Sequence, residues 1–404
     1  MSEKPDNLIV ALDIGSAQTR MLVAEVQEGV LRYLGHGVAE SAGMRKGMIA
    51  ELAVTAKAVR AASEQAERSA GINIDDCAVG LGGPHILGLN TNGGISLGRG
   101  MREIDREDVR EAIHHARAVD LPVDREILHL LPRQFILDGQ PGIFDPVEMV
   151  GTRLDVDLHI VTCSASALQS TVTCANRAGF EVSETVLEPL AAAECILSAD
   201  ERELGVCLLD IGAHSSDLVV FFEGAVVYAA SVPIGGAHFT NDLAIGLQLP
   251  LAQVEELKCK FGNAVVTSVP QDATTEIRTP QGNLATLPLR SMAEILEPRA
   301  RELMHYVRES LRYGGVLDAL GAGCVLTGGG ALLRGILDVT ESQLHAPARI
   351  GMPARLPHMP TELAQPSFAA AIGLILYVQR TRTMRAAEDN SIRARLRTMF
   401  AASF

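Results

Sequence analysis

The chain has 404 residues, 47% of them hydrophobic, and a formal net charge of −14. That length exceeds what one core supports, so two to four subdomains are expected, and the apolar content excludes a disordered chain. An acidic balance opposes contact with a phosphate backbone, so nucleic acid is not expected as a partner.

From the N-terminus, 8–34 has the pattern of three short strands, with turns at Gly15 and at Glu28-Gly29. The apolar run 8–12 stops at Asp13 and lacks the form of a signal peptide. Helical spacing covers 51–69 with Gly71 as a stop, and a strand at 77–81 ends in Gly82-Gly83-Pro84. The stretch 85–163 changes texture: strands near 86–97, 126–137 and 153–162 surround a charged helix at 105–119, the pattern of an inserted α+β subdomain. Helix, strand and helix follow over 164–197 and include Glu188-Pro189. A second run of strands starts at Gly205. After it come the glycine turn Ile234-Gly235-Gly236, helices at 237–246 and 251–261, short β segments at 264–290 and a long helix at 291–313. A strand at 323–326 leads into Thr327-Gly328-Gly329-Gly330 and another helix. The apolar stretch 368–378 is about half of a spanning helix, so no transmembrane segment is expected. A polar linker is expected over 381–390 and a last helix over 391–404.

The seven cysteines (77, 163, 174, 195, 207, 259 and 324) are scattered without a C-x-x-C pair, which fits a reducing compartment and argues against a disulfide or metal framework. The more informative pattern is a repeat. Asp13-Ile14-Gly15-Ser16-Ala17-Gln18-Thr19 and Asp210-Ile211-Gly212-Ala213-His214-Ser215-Ser216 each close one apolar strand and open another. Two copies imply a duplicated domain, with two strand-turn-strand elements facing each other across a cleft. Such turns offer N–H groups to phosphate oxygens, and each Asp stands where a phosphate-bound metal needs a carboxylate. The Gly328–Gly330 turn, between a strand and a helix, lets backbone approach a ring or phosphate closely.

In these motifs and their order the chain resembles the actin, heat-shock-chaperone and sugar-kinase ATPase superfamily. The resemblance implies a first phosphate loop at Asp13, Gly15, Ser16, Gln18 and Thr19 and a second at Asp210, Gly212 and Ser215, followed by Gly235 and Gly236. It implies an adenosine loop at Gly328, Gly329, Gly330 and Leu332, with ribose and adenine contacts from Glu255 and Lys258. Glu188-Pro189 matches the first connecting segment, and Pro366-Ser367-Phe368-Ala369-Ala370-Ala371-Ile372-Gly373 the second. ATP and Mg²⁺ follow as cofactors, the metal held by Asp13 and Asp210 through water, since Mg²⁺ dehydrates reluctantly. Glu188 is a candidate for orienting or deprotonating water, the plainer alternative being a carboxylate that stabilises the start of its helix. Ala213 and His214 replace glycines of the usual second loop, which implies a differently set turn and slow hydrolysis at most; His214 is expected to face solvent.

Three further stretches resemble the FtsA family of bacterial cell-division proteins: Gly43-Met44-Arg45-Lys46-Gly47-Met48-Ile49, Leu128-His129-Leu130-Leu131-Pro132-Arg133-Gln134, and 142–154. The resemblance covers 8–404 and implies an actin-like α/β fold of two lobes around a nucleotide cleft, with an FtsA-type small insertion subdomain. The first lobe would be 1–84 with 164–197 and part of 366–380, the insertion 85–163, the second lobe 198–232 with 314–365, and its small subdomain 233–313. It also implies a scaffold that polymerises, works with other division proteins and tethers FtsZ to the cytoplasmic face of the inner membrane at the division site. The FtsZ C-terminal tail would dock on the small subdomain, with Arg299 and Arg301 as contacts.

The C-terminal residues, with three Arg and no acid beyond the expected linker, support a membrane role independently, the plainer alternative being a helix docked on the protein's own body. At 100° per residue, Ile392, Leu396, Met399, Phe400 and Phe404 fall within an arc of about 140°, with Arg393 inside it and Arg397 beside it. That is the pattern of a helix lying in an anionic membrane interface. One such helix binds weakly, because ordering its backbone offsets much of the burial, and an array of them binds firmly. A small-molecule kinase or an MreB-like filament protein of the same superfamily are the alternatives. The first lacks an obvious Asp base in sequence, and the second is disfavoured by the insertion.

Overall fold

In a computed structural model, residues 7–98 and 100–401 are described, with backbone alone for 386–401. Two five-stranded sheets dominate the architecture. In the first, strands Leu8–Ile14, Gln18–Gln27 and Val30–Glu40 run antiparallel, and Asp76–Leu81 and Glu181–Leu187 extend the sheet in parallel on the other side of Leu8–Ile14. In the second, Val206–Ile211, Ser216–Phe222 and Ala225–Val232 repeat the antiparallel run, and Gly323–Thr327 and Ala348–Ile350 repeat the parallel one. The expected duplication is therefore visible strand for strand.

The central strands are apolar on both faces because both faces are covered. Alternate residues of Leu8–Ile14 go to different cores: Ile9 and Ala11 meet Leu190, Ala191 and Ile372, whereas Val10 and Leu12 meet Val59 and Ala62 of helix Leu52–Ala70 and Cys174 of helix Ala165–Ala178. The second sheet repeats this division, with Leu208 turned to the shared core and Leu209 to Met292 and Leu296 of helix Leu289–Tyr313. Helices Glu188–Ile196 and Ala369–Ala401 thus lie in the layer between the lobes. They cross closely at Gly373, where a Cβ would sit 2.0 Å from the Ala191 carbonyl oxygen.

Residues 87–164 build a separate four-stranded antiparallel sheet with helix Arg106–Ala116 against it. That helix starts at a capping box in which Asp105 accepts from Glu107 and Asp108 N–H and Asp108 accepts from Asp105 N–H. The insertion touches both lobes: Asn90 Nδ2 donates to the Val227 carbonyl at 3.2 Å, and Leu187 N–H donates to His129 Nε2 at 3.0 Å. The 381–390 stretch, expected as a linker, is helical, part of the unbroken helix Ala369–Ala401. Its Arg, Met, Ala and Glu favour helix, and no Gly or Pro interrupts the run.

Candidate functional site: an acidic cleft between the two hairpins

One cavity of about 1190 Å³ separates the lobes, and it brings together residues from nearly the whole chain. The first hairpin contributes Asp13, Gly15, Ser16 and Gln18, and the second Asp210, Gly212 and Ser215. Glu188, Gly236, Glu255, Lys258, Gly328, Gly329, Gly330 and Leu332 also line it. Two of the residues singled out lie just behind the wall. Thr19 is fully buried and its hydroxyl shares a 2.8 Å hydrogen bond with Ser41. Gly235 packs under the second turn, where a Cβ would be 2.6 Å from the Gly212 carbonyl oxygen. The next residue, Gly236, donates its N–H to that same oxygen at 2.8 Å, so the glycine pair braces the loop. Ala213 and His214 are absent from the residues with positive φ, so the non-glycine loop folds without left-handed backbone. His214 is half-buried on the cavity wall; burial and the neighbouring His238 hold its pKa below the ordinary value.

The floor of the cleft is acidic. Strand pairing sets Asp13 opposite Arg20 and Asp210 opposite Asp217. Arg20 Nη1 lies 3.3 Å from Asp13 Oδ2. Asp217 is buried, accepting from Gly83 N–H at 3.1 Å and from the Ser215 hydroxyl at 3.3 Å. Glu188 reaches the same point, since a Cβ on Gly82 would fall 2.5 Å from Glu188 Oε2 and 2.9 Å from Asp217 Oδ2. Four carboxyl groups thus share a poorly solvated floor, and each is harder to ionise than usual. Burial, then Asp217 and Asp13, push Asp210 up to about 7, with the Arg20 charge opposing. Burial and the three other carboxylates raise Glu188 well above its ordinary value, with Arg20 opposing. Burial raises Asp13 against the pull of Arg20, and burial raises Asp217.

Such a set favours a divalent cation. Among the described residues, no three His, Cys, Asp or Glu side chains converge closely enough to hold a metal directly. Beside the second turn, Lys258 Nζ donates to Gly236 O at 2.9 Å, to Thr240 Oγ1 at 2.8 Å and to Glu255 Oε2 at 2.7 Å. Burial pushes Glu255 up, but the hydrogen bonds from Lys258 and Thr240 outweigh it and hold the carboxylate below its ordinary pKa. Gly328 adopts φ of 79°, and a Cβ there would meet Asp210 Oδ1 at 2.2 Å. Gly329 faces open space. The open side at Gly329 can admit a flat, polar group next to the acidic floor, which suits a phosphate-bound metal.

The profile described as "Cell division protein FtsA" matches residues 207–373, and one described as "SHS2 domain inserted in FTSA" matches 83–162. Over 382 residues the chain is 35% identical to the cell division protein FtsA of Pseudomonas aeruginosa, covering 93% of this chain and 90% of the relative. The chain belongs to the FtsA family of cell-division proteins. FtsA of Borreliella burgdorferi is 36% identical over 92% of this chain and 91% of its own length, and that of Escherichia coli K12 33% over 92% and 90%. Among solved structures, the PilM-PilN type IV pilus biogenesis complex matches at 18% identity and a TM-score of 0.64, covering 91% of this chain and 98% of its own. MreB 5 of Spiroplasma citri bound to AMPPNP matches at 13% identity and a TM-score of 0.51, covering 97% and 99%. These likenesses show the actin-like fold, and the second family model places the FtsA-type insertion at 83–162.

Sequence motifs missed Arg20, Asp217 and Gly82 as parts of the site. The repeat itself contained the signal for the first two: antiparallel pairing from each Asp leads to residue 20 or 217. Arg299 and Arg301 lie away from the cavity. Arg299 is held by Asp242 at 2.6 and 3.0 Å and by Glu302, and Arg301 by Glu297 at 2.7 Å. For the C-terminal residues Ile392, Arg393, Leu396, Arg397, Met399 and Phe400 the side chains lie outside the described residues, as does all of Phe404. Among the described residues, no helix is long and apolar enough to cross a membrane.

Proposed function

We propose that this FtsA-family protein is an ATP-binding scaffold that polymerises and tethers FtsZ to the cytoplasmic face of the inner membrane at the division site. The observation that carries the nucleotide reading is the convergence of both acidic hairpins on one cavity with the Gly328–Gly330 turn. Asp13 and Asp210 would hold Mg²⁺ through water, and the metal would neutralise phosphate charge. The turns at Gly15-Ser16 and Gly212–Ser215 would take the β- and γ-phosphates, and Gly328–Leu332 with Glu255 and Lys258 the adenosine. Glu188 sits where it could accept a proton from water; burial and the neighbouring carboxylates raise its pKa, and a bound cation would oppose that shift.

The helical backbone through Ala401 supports an amphipathic membrane segment at the C-terminus. For the FtsZ tail, Arg301 is half exposed and offers the accessible charge, while the three contacts of Arg299 make it a brace for the same surface. Sedimentation with anionic liposomes, with ATP and with or without FtsZ, tests the whole reading. Full-length protein is expected to sediment and to carry FtsZ down with it. Protein lacking 391–404 is expected to remain in the supernatant, and its sedimentation would place the anchor elsewhere.

A further inference from the structure

Arg20 stands directly across the first hairpin from Asp13, and its side chain turns into the cavity. Nη1 meets Asp13 Oδ2 at 3.3 Å, Nη2 donates to Gln18 Oε1 at 2.8 Å, and the guanidinium lies 5.1 Å above the Phe368 ring centroid. Nε is buried without a hydrogen-bond partner, and the side chain is only 12% exposed. Contacts with a strand residue, a turn residue and a ring fix it as a cation of the floor, unlike a solvated surface arginine. In the second hairpin the equivalent position is the acid Asp217. The floor therefore carries four carboxyl groups and one guanidinium, whose charge reaches Asp210 and Glu188 but whose ion pair is with Asp13.

We propose that Arg20 is a tethered cation that takes over part of the metal's task. It neutralises Asp13, confines the divalent cation to the Asp210 side, and lets the cleft hold a nucleoside triphosphate with reduced dependence on that cation. This rests on the nucleotide reading above. A guanidinium keeps its charge throughout the working pH range and cannot diffuse away, so it screens Asp13 whether or not metal is present. Without it the floor between the hairpins has no positive charge of its own, and entry of a polyanion depends more on the added metal.

The test is calorimetric affinity for ATP in Mg²⁺ and in EDTA, for wild type, Arg20→Gln and Arg20→Lys. The ratio of the two affinities is expected to grow at least about tenfold in Arg20→Gln, with Arg20→Lys closer to wild type. A second readout needs no nucleotide: Mg²⁺ alone is expected to raise the melting temperature of Arg20→Gln more than that of wild type. The idea is overturned if Arg20→Gln loses affinity equally in both buffers, which makes Arg20 a phosphate or packing contact. An equal Mg²⁺ shift in melting for both proteins also overturns it. Wild type that binds no nucleotide in either buffer refutes the nucleotide reading instead, while the metal-only melting comparison still decides the role of Arg20.

Discussion

The first and second hairpins share a backbone plan and differ in charge. Each ends its leading strand at Asp-Ile, turns through four residues, and returns antiparallel, with residues 14 and 19 paired as are 211 and 216. Yet the residue facing the floor carboxylate is Arg20 in one and Asp217 in the other. Duplication fixed where the carboxylates stand. Divergence at one register position then gave the floor a compensated end and an uncompensated end. Geometry alone suggests equal roles for Asp13 and Asp210, whereas electrostatics does not.

The largest effect should follow from this polarity. Asp210→Asn removes the carboxylate that lacks a cationic partner, and Mg-ATP affinity is expected to fall about 100-fold or more, or ~2.7 kcal/mol. Asp13→Asn removes a carboxylate already paired with Arg20, and a loss nearer tenfold is expected. Titration calorimetry in Mg²⁺ measures both. Equal losses would break the comparison and restore two matching metal ligands; a larger loss at Asp13 would invert it.

The same hairpins show how much a sequence reveals. Their strands, turns and facing carboxylates were legible because apolar alternation and glycine leave marks at fixed short spacing. The inserted α+β subdomain and the glycine turn at 328–330 were legible for the same reason. Arg20 and Asp217 were not singled out, because a lone charge inside a strand has no motif, and its meaning depends on which side of the sheet forms the cleft. Gly82 was seen only as a strand breaker, since its close approach to Glu188 and Asp217 joins residues far apart in the chain. His214 looked like a solvent-facing substitution, because nothing local indicates that helix Gly236–Leu247 brings His238 beside it. The 381–390 stretch was misjudged because polarity was weighted above helix propensity.

A pH series sharpens the charge comparison at moderate amplitude. Asp210 rises from an ordinary 3.8 to about 7, and Glu188 also moves upward. The folded state thus holds protons that the unfolded state releases. Their stabilisation is complete below about pH 4 and is lost as pH climbs through about 7. Without metal, the melting temperature should fall between about pH 5 and about pH 8, and Asp210→Asn should flatten part of that slope. Added Mg²⁺ should stabilise wild type most at the alkaline end, where the carboxylates are ionised. A flat metal-free profile would show that the floor is better solvated than its burial indicates.

The smallest effect tests the shared half of the comparison, the backbone. A Cβ at Gly15 would lie 2.7 Å from the Gln18 carbonyl oxygen, and one at Gly212 would lie 3.0 Å from that of Ser215. Neither glycine has a positive φ, so crowding against backbone sets the cost in both turns. Gly15→Ala must push its turn open and is expected to lower stability by ~1–2 kcal/mol, whereas Gly212→Ala, at the edge of tolerance, should cost under ~1 kcal/mol. Denaturant unfolding without nucleotide measures both. Because neither change alters a charge, the ratio of Mg²⁺ to EDTA affinity for ATP should stay at its wild-type value in each variant, provided the turn refolds. A shift in that ratio would mean that turn geometry, and not the Arg20–Asp217 exchange, makes the two ends of the floor unequal.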